Sequence, residues 1–323
     1  MSEPVLVPFS GGEIVGDSAD RRVEILSDPE PLHATWSRFG PHREGADLHV
    51  HHRHTDLFYV LEGELTVRLG LDDQAVPVLA GTLARVPPLV VHGFRNGSDA
   101  EVRYLNFHAP GRGFAEFMRG LRDGRDVSYD QHPPPADGGR PVTEAVVGGD
   151  GFVADRPGLR VALLADVEEI GIAETWGDPG GPSPPPHVHR RHVESFYVLA
   201  GGLTFTAGGR DLRAEAGSWV QVPPGVPHTF AFDGDEPVRF LDLHTPSRGY
   251  GAFLRASTRP APTPSWRRCG RNSTRSLPRR RRARRQLARA HRCRSSSSPA
   301  SRPSRAVPSR RPDRSAGGAT RSG

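Results

Sequence analysis

Histidines at short, recurring spacings carry most of the chemistry open to this chain. His49 and His51 stand two apart, Asp56 follows, and His92 comes after a Pro-rich stretch. His187, His189, Glu194 and His228 repeat the arrangement further on. On a strand, residues i and i+2 point to the same face, so paired imidazoles can reach one ion. Three imidazoles and a carboxylate suit a divalent transition metal with positions left open for water or substrate. Neutral imidazole binds Fe, Mn, Ni, Co, Cu or Zn, and nothing in either set selects among them. A lone His-x-His is most often a surface pair or a hydrogen-bonded core group. Here the pair recurs with a carboxylate and a third His at matched positions, which makes each set a candidate for one ion. Asp56 is one methylene shorter than Glu194, about 1.5 Å of reach. The second set is therefore the more complete, and the first would be a three-His site if Asp56 falls short.

Other side chains depend on where the strands put them. If Asp56 and Glu194 face inward, alternation sends Phe58, Val60, Phe196 and Val198 inward too. That gives either an apolar pocket fit for an aromatic or hydrophobic small molecule, or simply a filled interior. His108 and His244 recur in LNFHAP and LDLHTP. They are expected either to line the pocket as proton carriers or to fix the following turn through backbone hydrogen bonds. His54 and His192 also match, and are expected in an exposed loop. His52 faces Arg190 in the second copy and receives no role.

These residues sit in an internal repeat. HVHHRHTDLFYVLEG (49–63) recurs as HVHRRHVESFYVLAG (187–201), and VRYLNFHAPGRGF (102–114) as VRFLDLHTPSRGY (238–250). The offset falls from 138 to 136, which places a shorter hairpin between Gly201 and Gly217. Short β-branched and aromatic runs with Gly/Pro punctuation predict strands of a sandwich or barrel. Phe58–Leu71 and Phe196–Ala207 each read as a hairpin. Phe114, Phe117, Met118 and Leu121 have helical spacing, and Tyr250, Phe253 and Leu254 repeat it up to Ser257. The expected organisation is a first domain over 1–123, a Pro/Gly-rich linker over 124–148, a second domain over 149–255, and a tail over 256–323.

Charge divides the same way. The chain has 323 residues and a net charge of +6, yet residues 256–323 carry 20 basic residues against Asp313 alone. The preceding part is therefore acidic, which disfavours a nucleic-acid-binding fold there. There is no Lys, so no amine can form a Schiff base, and both Cys (Cys269, Cys293) lie in the tail, which excludes Cys-type zinc sites and a Cys nucleophile from the domains. No apolar run reaches membrane-spanning length, and the first 30 residues lack a signal-peptide core, so a cytoplasmic protein is expected. The tail (PRRRRARRQLARAHR over 278–292) has no apolar periodicity and is expected to be disordered. It is read either as an anionic-surface or nucleic-acid tail, or as the out-of-frame end of a GC-rich gene.

Both halves resemble cupins. The first motif of that family, His-x-His, a few residues, Glu, six residues, Gly, stands here as His187, His189, Glu194 and Gly201, and as His49, His51, Asp56 and Gly63. The second, Gly, five residues, Pro-x-Gly, two residues, His, three residues, Asn, stands as Gly81, Pro87, Leu89, His92 and Asn96, with Leu89 departing from Gly. In the second half it stands as Gly217, Pro223, Gly225 and His228, with Phe232 departing from Asn. The resemblance covers about residues 11–119 and 149–255 and implies an all-β protein of two tandem jelly-roll barrels, each followed by a short helix. It implies one divalent metal per barrel and, among two-domain members, an activity like the quercetinase-type dioxygenases, with Glu194 as ligand and general base. The expected partner is a small aromatic or enol-type substrate, with homodimerisation open, no membrane, and nucleic acid only through the tail. A decarboxylase or isomerase, and a non-catalytic binding module, remain the other classes. Fold alone does not decide among them.

Overall fold

The computed structural model describes residues 3–257; the Arg-rich tail, on which the expectations of disorder and of a shifted reading frame fall, lies outside the described residues. Period-two apolar patterning builds ten strands before the first helix: β1 (Val5–Val7), β2 (Glu13–Ser18), β3 (Arg21–Ser27), β4 (His33–Phe39), β5 (Thr55–Glu62), β6 (Glu64–Leu69), β7 (Gln74–Leu79), β8 (Leu83–Val86), β9 (His92–Arg95) and β10 (Val102–Ala109), followed by α1 (Phe114–Asp123). The second half repeats them as β11 (Val146–Val147), β12 (Gly151–Arg156), β13 (Leu159–Asp166), β14 (Gly171–Gly177), β15 (Val193–Ala200), β16 (Gly202–Ala207), β17 (Arg210–Glu215), β18 (Trp219–Val222), β19 (His228–Ala231) and β20 (Val238–Thr245), then α2 (Tyr250–Ser257).

Each half is a jelly-roll sandwich of one seven-stranded and one three-stranded antiparallel sheet. The order β11-β8-β5-β10-β4-β3-β2 faces β7-β6-β9, and β1-β18-β15-β20-β14-β13-β12 faces β17-β16-β19. The first half thus contributes an edge strand to the second and receives one back. Val5, Leu6 and Val7 pair with Gln221, Val220 and Trp219, while Val146 and Val147 pair with Arg85 and Ala84.

Alternation along β5 and β15 decides what each sheet face buries. Phe58 and Val60 fill the first barrel with Leu65, Val67 and Tyr104; Phe196 and Val198 fill the second with Phe205, Val220 and Phe240. The opposite faces, Leu57 and Tyr59 against Tyr197, Trp219 and Leu241, form one apolar core shared by the two barrels. Polar bonds cross the same seam: Gln221 donates to Ser27 Oγ at 2.8 Å and Arg239 to the Tyr59 hydroxyl at 3.0 Å.

Three local expectations are corrected. The stretches Phe58–Leu71 and Phe196–Ala207 are not hairpins: β5 pairs with β10 and β8, whereas β6 pairs with β7 and β9. The chain instead turns a corner from one sheet to the other at Gly63 (φ 77°) and Gly201 (φ 69°), where a Cβ would run into the carbonyls of Glu101 and Pro237. The true hairpins are β6–β7 and β16–β17, and the second has the shorter turn, at Gly208-Gly209. Finally, Leu121 of α1 is exposed, while Phe114, Ala115 and Met118 bury that helix against the first barrel.

Candidate metal centres

The antiparallel register places each set of residues. His49 and His92 pair backbone to backbone, with N–H···O distances of 2.8 and 2.9 Å, and His187 pairs with His228 at 2.9 Å in both directions. On the facing strands, Asp56 sits opposite His108 and Glu194 opposite His244. His49, His51, Asp56 and His92 thereby bring one ligand atom each within 4.8 Å of the others, and so do His187, His189, Glu194 and His228.

The donor atoms are set for a cation. The Nδ1–H groups of His49, His92, His187 and His228 are each held by the carbonyl two residues before, at 2.7 to 2.9 Å, and that of His51 by the Asp130 carbonyl at 2.5 Å. With Nδ1 donating, Nε2 presents a lone pair to the cluster. His49 Nε2 and His51 Nε2 then face each other at 3.1 Å with no proton to share. His92 Nε2 and His189 Nε2 are buried without a hydrogen-bond partner. His189 Nε2 lies 3.0 Å from Glu194 Oε2, at an angle that makes no hydrogen bond. Buried lone pairs converging on one point are costly unless an ion lies between them, so both sets fit a divalent metal. Asp56 is within reach despite its shorter arm: its Oδ2 is 3.4 Å from His92 Nε2 and 3.7 Å from His51 Nε2.

Burial alone would raise the pKa of either carboxylate. For Asp56 the opposing effect of His108, His51 and His92 wins, and for Glu194 that of His187, His189, His228 and His244, so both stay well below the usual range. Such carboxylates are strong anionic ligands and weak bases.

A second layer of histidines stands behind each centre, and here the expectations need correcting. His54 is not in an exposed loop but 1% exposed, and it meets His108 Nδ1 at 3.2 Å. His192 meets His244 Nδ1 at 2.9 Å in the same way. Neither His108 nor His244 fixes its turn by a ring-to-backbone hydrogen bond; their ring partners are side chains. The two copies differ in one partner. His244 lies 3.3 Å from Asp242 Oδ1 and 3.4 Å from Glu194 Oε1; burial opposes its charge, yet the two carboxylates push its pKa up to about 10. In the first barrel Asn106 replaces Asp242, and burial outweighs Asp56 and drives the His108 pKa well below its ordinary value.

The centres also differ in access. His187 and His189 keep 30% and 21% of their side-chain surface exposed, whereas His51 and His92 keep 2% and 1%. Residues 129–132 cause the difference. Val50 and His132 pair through their backbones at 2.9 Å, and the Tyr129 hydroxyl lies 2.9 Å from His54 Nε2 and 2.8 Å from His108 Nδ1. The Asp130 carboxylate accepts from the backbone N–H of His52 and Arg53 and from His54 Nδ1, at 2.8 to 3.1 Å. Beneath this strap a cavity of about 340 Å³ reaches His49, His51 and Asp56 and is walled by Phe94, Tyr104 and Tyr129. Tyr129 and Asp130 escaped the sequence reading because their segment has neither apolar periodicity nor a counterpart in the repeat.

Two jelly-roll barrels, each with a His/carboxylate cluster at its mouth, define a two-domain cupin. The cupin domain model matches residues 35–108 and 178–244, and the chain is built of two cupin domains in tandem. Over 226 residues it is 23% identical to quercetin 2,3-dioxygenase of Bacillus subtilis, a match spanning 58% of this chain and 65% of that protein's length. Among solved structures it is similar to a putative glyoxylate-induced protein from Pseudomonas aeruginosa (TM-score 0.55, 16% identity, 75% of this chain and 89% of the other). It is also similar to Lactobacillus farciminis oxalate decarboxylase (TM-score 0.53, 15% identity, 76% and 86%). These structural likenesses concern the fold. Among the described residues, no helix is long and apolar enough to cross a membrane.

Proposed function

We propose that the protein is a metal-dependent dioxygenase acting on a small aromatic or enol-type substrate. The observation that carries this reading is the aromatic-walled cavity of about 340 Å³ opening onto His49, His51 and Asp56. It joins a chamber whose aromatic walls can stack on a flat ring to a set of donors fit for a divalent ion. His49, His51, His92 and Asp56 would hold one ion, and His187, His189, Glu194 and His228 another. Such an ion supplies Lewis acidity, which lowers the pKa of an enol hydroxyl brought to it. Asp56 in the enclosed centre and Glu194 in the open one are placed to take that proton. Their low proton affinity matches a hydroxyl already acidified. His108, opposite Asp56 in the sheet, stands next in line to carry the proton outward. The enolate then reacts with dioxygen, and both oxygen atoms enter the products.

Metal content and oxygen uptake test this together. Protein purified without chelator or affinity metal is expected to carry about two equivalents of one of Fe, Mn, Ni, Co, Cu or Zn. It should consume oxygen with at least one of a panel of flavonols and smaller enols. Asp56→Ala and Glu194→Ala should each lose part of the turnover and the double variant all of it. No oxygen uptake by metal-loaded protein would sink the reading. A second reading rests on His244, held as a cation between Asp242 and Glu194, with the Tyr250 hydroxyl donating to Asp242 at 2.7 Å. A proton donor beside the open centre serves decarboxylation or isomerisation, and turnover without oxygen uptake would identify that class. Tightly held metal without turnover of any kind would leave a binding module.

A further inference from the structure

We propose that the substrate of the enclosed centre carries a carboxylate, held by Arg21 at the end of the chamber away from the imidazoles, a step that rests on reading this chamber as the substrate site. Arg21 opens β3 on the same face as Val23, which belongs to the barrel core. Both residues line the cavity that reaches His49, His51 and Asp56. Strand register sets the span between the two ends. Asn106, which donates to the Asp56 carboxylate, stands opposite Thr35, and Arg21 stands opposite Phe39, four residues along β4. That is about 13 Å of strand, less whatever the long arginine side chain covers. Tyr104 lies between these levels, opposite Ser37, and the charge of Arg21 acts on its hydroxyl. Burial raises the pKa of that hydroxyl, while Ser37 and the guanidinium oppose the rise.

Arg21 is the cation of this wall that lacks an anion. Its side chain makes no hydrogen bond or ion pair among the described residues, and its Nε is shielded from solvent without a partner. The guanidinium carbon lies 5.9 Å from the centre of the Phe39 ring. The other charged side chains on the wall are matched. Arg43 donates to Asp20 at 3.1 Å, although its Nε too is buried without a partner. Glu44 stands 3.5 Å from Arg95 and 3.8 Å from Arg68, and Asp56 faces the imidazole cluster. The fold does not need a charge in this place. Leu159 holds the position of Arg21 in the second copy and packs on the core of that barrel. A guanidinium on an inner barrel wall is costly unless an anion meets it. A carboxylate matches its planar fork, two oxygens to two N–H groups. The span then selects an acid with roughly the length of a fused ring pair between its carboxylate and the oxygen brought to the ion.

Calorimetric titration of the full chain with naphthoate and with its uncharged isostere naphthamide, at constant ionic strength, tests this. Wild type is expected to bind naphthoate at least about tenfold more tightly than naphthamide. Arg21→Leu should bind naphthoate about tenfold more weakly than wild type and naphthamide within about twofold of it. Arg21→Lys should fall between, since it keeps the charge and loses the fork. The Arg-rich tail is the same in every variant, so its contribution cancels in the comparison. Equal binding of the two probes by wild type, no binding of naphthoate, or undiminished naphthoate binding by Arg21→Leu would each overturn the proposal. If Arg21→Leu does not fold, Arg21→Gln decides in its place. The titration involves no dioxygen. Binding of naphthoate through Arg21 without oxygen uptake on any substrate would sink the dioxygenase reading and leave this one standing. Oxygen uptake with neutral flavonols and no preference for the acid would do the reverse.

Discussion

Leu89 and Gly225 hold the same place in the two copies, and both donate backbone N–H groups at 2.7 Å, to the carbonyls of His51 and His189. The turn needs left-handed backbone, φ 66° and 85°, and only one copy has the residue suited to it. Leu89 is 39% exposed, so its side chain returns little packing for that strain. Leu89→Gly is therefore expected to stabilise the protein by about 0.5–1 kcal/mol, after the extra entropy of glycine in the unfolded chain is set against the relieved strain. Denaturant melts of the two proteins check this, and a loss of stability would show that the Leu89 side chain is needed. The other departure, Phe232 for Asn, is also intelligible. Asn96 is buried and donates to the carbonyls of Phe39, Gly40 and Ala100 at 2.7 to 3.2 Å. Phe232 replaces that network with ring packing on Phe230 and Phe240, over Gly177, whose missing Cβ leaves room for the ring.

Strands and loops were legible in the sequence where a period of two or a paired motif marked them. His49/His51 and His187/His189 share a face because strand-like backbone alternates, and the eight expected ligands come together as two sets. The corners at Gly63 and Gly201 were not legible as corners. A glycine between two apolar runs looks the same whether the second run folds back or changes sheet. Nor were β1 and β11, since strands of three and two residues are too short to show a period. Their exchange has a measurable consequence. β1 covers the edge of β18, whose Trp219 lies fully buried in the core shared by the barrels. Removing residues 1–8 should lower the melting temperature and expose the second barrel first. Hydrogen exchange should show β18 opening faster than β8, the strand in the matching position of the first barrel. Equal protection of β8 and β18 after truncation would show that β1 is dispensable.

At the scale of the whole molecule, buried histidines set the pH range of stability. In metal-free protein, burial and neighbouring imidazoles hold the pKa of His54 to about 3 and of His192 to about 4, and burial also lowers that of His33. The unfolded chain takes up protons on these groups near pH 6.5 while the folded chain does not, so they destabilise the fold as pH falls below 6.5. For a buried group such as His54 the cost is about 1 kcal/mol per pH unit. His187 and His244 act in the opposite sense: their raised values stabilise the fold fully below pH 6.5 and lose that effect as pH rises, for His244 toward about 10. Melting temperature should therefore peak near pH 6.5–7, fall on the acid side, and decline more gently on the alkaline side. A plateau from pH 7 down to pH 5 would contradict this assignment.

The strap over residues 129–132 also acts on time. A chelator reaches the open centre directly, past the partly exposed His187 and His189. To reach the other ion it must wait for the backbone pair between Val50 and His132 to part and for Tyr129 to leave His54 and His108. Two ligand sets of nearly the same composition should thus empty at separate rates. Release should follow two exponentials of roughly equal amplitude, and Tyr129→Phe together with Asp130→Asn should accelerate only the slow one. A single exponential would mean that the strap is no barrier. The two barrels would then differ less in what they bind than in how long they keep it.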